Sequence, residues 1–472
     1  MPGRFLSVFR PISRLMPEVK APEGRIKLTE KLLWTALVLV LYLVMSEIPL
    51  YGLAAEGGAD PFFFSRVIFA SSKGTLMELG IQPMITANMI LQMLAGSGLI
   101  AVNFSSHEDR SIFTGVTKFF SIVMTAAIAL AYLFFGNFGA ISTLASAVIF
   151  AQLLAVGMLI IILDELLQKG WGLGSGTSLF IVAGVTQRIL WNTLSPLPTG
   201  EAGEALGAVI GFVQSLLAGA DPIAGFISRA DPNAPTMLSF VLTIVLFVII
   251  IYLSSLKVEI PATYARYRGF GQRYPIKLLY LSTIPVILSQ SLLMDIYFVA
   301  QLLISRFNAD GANVFLNLLG QVDPANPNTP IGGLMYYVIP PRSLENVVAD
   351  PLRALVYAGI MIASTVTFSV VWMAVSGLDP ASVARQFVDA GLQVPGHRRS
   401  QLAIQRILER YIPTVAVLGG IAVGAMAAFA DFFSVFGTAM GVLITVDVMQ
   451  QYYQKIAEET LIDEYPLLGK LI

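Results

Sequence analysis

Ten apolar windows dominate this chain, and they leave it little choice of solvent. They fall near residues 32–50, 81–100, 112–134, 141–163, 175–194, 237–256, 278–303, 354–375, 411–430 and 432–453. Each is about as long as a helix must be to cross ~30 Å of hydrocarbon. Composition agrees, since 56% of the 472 residues are hydrophobic and only 12% charged. A soluble domain carries about a quarter charged residues. The sequence therefore predicts an all-α, polytopic membrane protein with ten transmembrane helices.

Several function classes drop out at once. A net charge of -1 gives no global attraction to nucleic acid. With no cysteine, and with His107 and His397 far apart, neither a thiol nucleophile nor a zinc or haem site is expected. No metal or other cofactor is anticipated. The chain lacks a Gly-x-x-x-x-Gly-Lys-Ser/Thr loop, so ATP hydrolysis has no support. The glycines from Gly170 to Gly176 lack the lysine that would reach phosphate and suit a tight loop. No catalytic set emerges, and the chain is not expected to be an enzyme. Residues Met1 to Lys31 are basic without a continuous apolar core, so no cleavable signal peptide is expected. Their mixed apolar and cationic pattern suits either an interfacial helix or a disordered basic tail.

An even number of spans puts both termini on one side, and the positive residues say which. Sorting Lys and Arg by loop puts 22 of the 29 on the side of the termini. The other side holds Arg66, Lys73, Arg188, Arg229, Arg306, Arg342 and Arg353. Positive charge is retained inside, so both termini are expected to be cytoplasmic. The implied division is a cytoplasmic interfacial segment (1–31), an N-terminal half of five spans (32–194), an external connector (195–236), a C-terminal half of five spans (237–455) and a cytoplasmic tail (456–472). An odd number of spans per half inverts the second half relative to the first. Such pseudo-symmetric halves commonly place a pathway at their interface. A secondary transporter of a small solute has the same arithmetic.

Between the first two windows lies Pro61 to Ala70, apolar yet too short to cross a bilayer and interrupted by Arg66. Irregular apolar chain at membrane depth is tolerated where protein surrounds it or where it borders a water-filled cavity. Ionisable residues inside the spans are nearly absent, and Glu47, Asp164, Glu165, Arg188, Asp295 and Asp447 sit toward predicted helix ends or next to loops. Snorkelling or end-capping accounts for such positions, with Asp295 the most interior and the best support for a transporter. Ile81 and Ile85, and Thr177 and Ile181, are four apart on helix faces, and Ile284 and Ile287 three apart. Ordinary core or lipid packing has the same spacing, and so has an apolar constriction that gates by dewetting. Two long basic stretches on the cytoplasmic side complete the pattern. One runs from Lys257 through Arg266, Arg268 and Arg273, and the other from Ser376 through His397, Arg398 and Arg399 to Arg410. Positive-inside retention explains basic loops; paired arginines also suit phosphate-rich RNA or an acidic protein surface.

Over almost its whole length the chain closely resembles the SecY family, the pore-forming subunit of the protein-conducting translocon, and its archaeal-type branch in particular. The likeness rests on Ile48-Pro49-Leu50-Tyr51-Gly52, Gly174-Ser175-Gly176, Lys257-Val258-Glu259-Ile260-Pro261, Tyr274-Pro275-Ile276-Lys277, Ile284-Pro285-Val286-Ile287-Leu288, Gly377-Leu378-Asp379-Pro380 and Arg410-Tyr411-Ile412-Pro413, in that order. It implies two halves clamped around an hourglass pore, a short plug helix near 60–72 and a lateral gate opening to lipid. By resemblance the pore ring falls on Ile81, Ile85, Thr177, Ile181, Ile287 and Ile444, with Thr177 standing where relatives are apolar. The plug falls on Phe62, Phe63, Phe64, Arg66, Val67, Ile68 and Phe69, with Arg66 and Lys73 expected to face water. The gate is expected where the second and third spans meet the seventh and eighth, near Thr86, Gln92, Ser282 and Thr283. Ribosome or motor contacts are expected at Arg266, Arg268, Arg398 and Arg399.

The implied function is passive conduction of unfolded polypeptide, with hydrophobic segments released sideways into lipid. Its implied partners are a SecE-like (gamma) subunit, a Sec-beta-like single-span subunit, the ribosome, signal sequences and nascent chains, and membrane lipid. The expected location is the plasma membrane.

Overall fold

A computed structural model describes residues 9, 11, 16–24, 26–52, 66, 69–96, 98–100, 102, 107–134, 138, 142–199, 204–219, 221–229, 234–264, 271–278, 283–308, 313–322, 330–341, 344–389, 392–393 and 400–464. The first half is built from α1 (Leu28–Glu47), α2 (Gln82–Gly96), α3 (His107–Phe134), α4 (Thr143–Leu166) and α5 (Gly176–Leu194). α1 stops at Ile48-Pro49, where proline turns the preceding residue away from helical geometry. Ser142 caps α4, its hydroxyl accepting from the Ala145 N–H at 3.2 Å. A π turn, Leu167–Trp171, closes α4, and Gly170 in it takes φ 100°, a left-handed conformation that glycine tolerates.

A folded connector follows: strands β1 (Pro198–Thr199) and β2 (Glu204–Ala205), then helices α6 (Ala208–Leu217) and α7 (Pro222–Ile227). The second half opens with α8 (Met237–Ser255) and the strands β3 (Lys257–Tyr264) and β4 (Gly271–Lys277). It continues with α9 (Thr283–Phe307), α10 (Val314–Leu319), β5 (Gln321–Val322), β6 (Pro330–Gly332), α11 (Leu334–Val338) and α12 (Leu344–Ala349). It ends with α13 (Pro351–Val375), α14 (Pro380–Asp389), β7 (Leu392–Gln393), α15 (Gln401–Phe432) and α16 (Ala439–Glu464).

Ten of these helices correspond to the ten apolar windows, with shifted ends. α16 starts at Ala439 rather than near 432, because a turn with left-handed Ser434, Gly437 and Thr438 separates it from α15. α2 covers only Gln82 to Gly96 of the 81–100 window. Its 15 residues rise about 22 Å, short of the hydrocarbon thickness. The missing depth is filled by the non-helical approach to it, where Met77, Glu78, Leu79 and Ile81 are all buried. Protein surrounds that irregular backbone, the condition under which it is tolerated.

Among the described residues, seven of the long helices are apolar and long enough to cross a membrane by themselves, and α2, α5 and α16 are not among them. Each of these three is packed into the protein. The main core cluster draws Ile85 from α2, Phe180 and Ile181 from α5, and Met440, Leu443 and Ile444 from α16. It joins them to Val38 of α1, Val156 of α4, Leu246 of α8, Leu293 of α9, Met361 of α13 and Val423 of α15. Packing on neighbouring helices offsets the short length of α2 and the polar residues of α5 and α16.

The basic stretch after α8 is a hairpin rather than an open loop. β3 and β4 pair antiparallel with Lys257 opposite Lys277, and β7 joins with Leu392 opposite Tyr264. One face of the sheet packs on α14 and α15 through Ile260, Ile276, Phe387, Ile404 and Leu408.

Candidate functional site

Five of the six expected ring residues come together. Ile81, Ile85, Ile181 and Ile444 are buried in the main cluster, and Ile287 of α9 packs against it. Ile81 stands just before α2 and Ile85 one turn along, so both lie on one face. α16 reaches α5 because residue 441 is glycine: a Cβ there would lie 2.4 Å from Val185 Cγ2. Thr177, the sixth, is one turn before Ile181 in α5, and its N–H donates to Asp164 Oδ1 at 2.9 Å. Asp164 also accepts from the Ser175 hydroxyl at 3.2 Å, so it caps α5 from the end of α4. The end-capping expectation holds for this carboxylate.

Beside this cluster the chain entering α2 is tied down at several points. Phe69 is buried in the cluster, its carbonyl accepting from the Ile81 N–H at 2.8 Å. The Tyr42 hydroxyl of α1 donates to the Ala70 carbonyl at 3.3 Å. Arg66 forms an ion pair with Glu78, Nη2 to Oε1 at 2.7 Å, with side chains only 5% and 3% exposed. A second Glu78 oxygen accepts from the Gly74 N–H. The expectation that Arg66 faces water is thus corrected: Glu78 neutralises it in the interior, whereas Lys73 is exposed. Gly80 makes the close approach possible, since a Cβ there would sit 2.1 Å from the Phe69 carbonyl oxygen. The other plug positions, Phe62, Phe63, Phe64, Val67 and Ile68, lie outside the described residues.

α2 and α3 meet α9 and α13 along a seam with an apolar and a polar part. The apolar part is Met89 of α2, Leu288 of α9 and Phe368 of α13, with Tyr132 of α3 stacked on Phe298 of α9 at 5.3 Å. The polar part centres on Asp295. Its carboxylate accepts from Gln82 Nε2 at 3.1 Å and from the Thr86 hydroxyl at 3.0 Å, both on α2. Asp295 is mid-helix, so end-capping does not describe it. Of the expected gate residues, Thr86 bridges the seam and Gln92 does not. Gln92 donates to Asn88 within α2 at 2.9 Å, and its Oε1 has no partner among the described residues. Ser282 and the Thr283 side chain lie outside the described residues, as do Arg266, Arg268, Arg398 and Arg399. At the base of the basic hairpin, Arg273 donates to Glu259 at 2.8 Å, and Lys257 flanks it. Together they hold the Glu259 carboxyl below the usual carboxylate range.

The sequence profile described as SecY matches residues 75–453, and the plug domain of Sec61p matches residues 40–74. The chain belongs to the SecY family. Solved SecY-type structures agree over nearly the full length. A structure described as that of a protein conducting channel is 34% identical with a TM-score of 0.82, covering 97% of this chain and 98% of that one. Canine Sec61, in the ribosome-channel complex from the endoplasmic reticulum, is 34% identical with a TM-score of 0.79, covering 97% and 98%. The idle yeast Ssh1 complex bound to the yeast 80S ribosome gives 26% identity and a TM-score of 0.77, covering 97% and 94%.

In this SecY chain Glu78 and Gln82 give no sequence signal of their role, and the partners of Asp295 give none either. Glu78 was passed over because a lone carboxylate in a short connecting segment gives no signal of its partner. Gln82 and Asp295 were not linked because their hydrogen bond spans 213 residues of chain. The available signal for Asp295 was its interior position, where an ionisable group is expensive unless paired.

Proposed function

We propose that this chain conducts unfolded polypeptide across the membrane and releases hydrophobic segments through the α2/α3–α9/α13 seam. The observation that carries the reading is the isoleucine cluster with the plug's tethered end against it, in a chain of the SecY family. Ile81, Ile85, Thr177, Ile181, Ile287 and Ile444 form the constriction. Branched apolar side chains there oppose a water column while letting an extended chain through. Residues 60–72, including Phe62, Phe63, Phe64, Val67 and Ile68, plug it, and Arg66 and Phe69 hold the plug's base.

Partition does the sorting. An apolar segment of sufficient length gains free energy on leaving the aqueous path for lipid, and a polar one does not. Thr86 and Asp295, with Ser282 and Thr283 near the seam, set how readily it parts. The chain makes and breaks no covalent bond, so the driving force comes from a partner. The ribosome fills that role, contacting Arg266, Arg268, Arg398 and Arg399, while SecE-like and Sec-beta-like subunits brace the two halves of five spans. The plasma membrane is its site, with both termini cytoplasmic, as the bias of positive charge supports.

Proteoliposomes test this. Deleting residues 60–72 should produce ion leak in single-channel recordings, and a stalled signal sequence should cross-link beside Thr86 and Asp295. Gradient-driven solute uptake abolished by Asp295→Asn, without such cross-links, would overturn the reading in favour of a transporter.

A further inference from the structure

The connector between the two halves carries an apolar surface that the channel function leaves unused. From residue 208 to 228 the only charged residue is Asp221. Val213, Leu216 and Leu217 recur on one face of α6, and Ile223 and Ile227 on α7. All five are exposed, Leu217 at 84% and Ile223 at 71%. Several polar side chains of the pair bond back onto the chain. Gln214 accepts from the Ala205 N–H at 2.7 Å, Ser215 donates to the Phe212 carbonyl at 2.9 Å and Ser228 to the Ala224 carbonyl at 3.2 Å. Asp221 accepts from the Ile223 N–H and caps α7.

This surface is mounted on the ends of two spans. Gly207, which opens α6, donates its N–H to the Ser195 carbonyl at the last turn of α5, at 2.9 Å. Arg229, just after α7, donates to the carbonyls of Ala205 at 2.6 Å and Leu206 at 3.1 Å, ahead of α6, and of Pro235 at 3.2 Å, two residues before α8. α6 packs on α5 and α8, and α7 on α8. Outward-facing Trp191 and Leu194 end α5 at the same level, 51% and 54% exposed, with an aromatic suited to the headgroup boundary. The apolar face of α6 and α7 therefore continues the lipid-facing belt of α5 and α8.

We propose that the α6–α7 pair is an interfacial anchor: its apolar face lies in the membrane surface, so that the strap joining the halves rests on lipid. The occupant of the face is lipid, in the manner of amphipathic helices buried about 5–10 Å into the headgroup and acyl boundary.

The chain has no cysteine, which allows single labels without background. Leu217→Cys and Ile223→Cys, both at exposed positions, would carry an environment-sensitive fluorophore in the full complex reconstituted into phosphatidylcholine and phosphatidylglycerol vesicles. Val248→Cys on the lipid face of α8 and Ser400→Cys, exposed before α15, serve as lipid and water references. Lipid brominated near the headgroup should quench the Leu217 and Ile223 labels within about twofold of Val248 and well above Ser400, with aqueous iodide giving the reverse order. Iodide quenching equal to that at Ser400 overturns the proposal in favour of a solvated face. Shielding from both quenchers overturns it in favour of a protein partner.

Discussion

Two junctions beside the isoleucine cluster are held differently. The plug's end is joined to the wall by a buried ion pair, Arg66 to Glu78, between residues 12 apart in sequence. The seam is joined by hydrogen bonds from Gln82 and Thr86 to Asp295, across 213 and 209 residues. The first is local, fully desolvated and charge-compensated, so removing one partner strands a buried charge. The second is made by neutral donors, themselves buried, on a carboxylate that is only partly buried, and with no opposite charge to strand it parts at lower cost. The proposed release of apolar segments through the seam calls for the weaker of the two.

The largest effect is expected at the tether. Glu78→Ala leaves Arg66 buried without its carboxylate, which should cost about 3–5 kcal/mol. Thermal unfolding in detergent reads the loss, and single-channel recording should register added ion leak. At the seam, Asp295→Asn keeps an acceptor oxygen but loses charge assistance to Thr86, for about 1–2 kcal/mol. Its readout is more signal-sequence cross-linking at the seam with little change in melting. Should Asp295→Asn destabilise the fold as much as Glu78→Ala, the distinction between tether and seam collapses. Gln92→Leu should fall within about 0.5 kcal/mol, because its hydrogen bond stays within α2 and it removes an unpartnered oxygen. A large gain in cross-linking from that variant would mean that Gln92 does take part in the seam.

The ten spans and the isoleucine spacing were legible because hydropathy and helical period are written in consecutive residues. Ile81 and Ile85 announce a shared face from sequence alone. Their meeting with Ile181, Ile287 and Ile444 is tertiary, and family resemblance was needed to anticipate it. Helix ends are less legible: α2 stops at Gly96, ahead of left-handed Gly98, while its apolar window runs on to residue 100. Strands β3, β4 and β7 were read as loops because basic and aromatic residues masked an alternation whose inward face is Ile260, Tyr274 and Ile276. Arg66 was expected in water because charge in an apolar segment ordinarily seeks it, and only the fold brings Glu78 alongside.

That α2, α5 and α16 fall short as independent spans also bears on how the protein is made. None of the three is apolar and long enough by itself to qualify as a span, and α2 carries Gln82, Asn88 and Gln92 within its 15 residues. Segments of that kind gain little by entering lipid singly. During biogenesis they are expected to be received by neighbours already in place, α2 by α3 and α5 by α4, with which each packs in the finished fold.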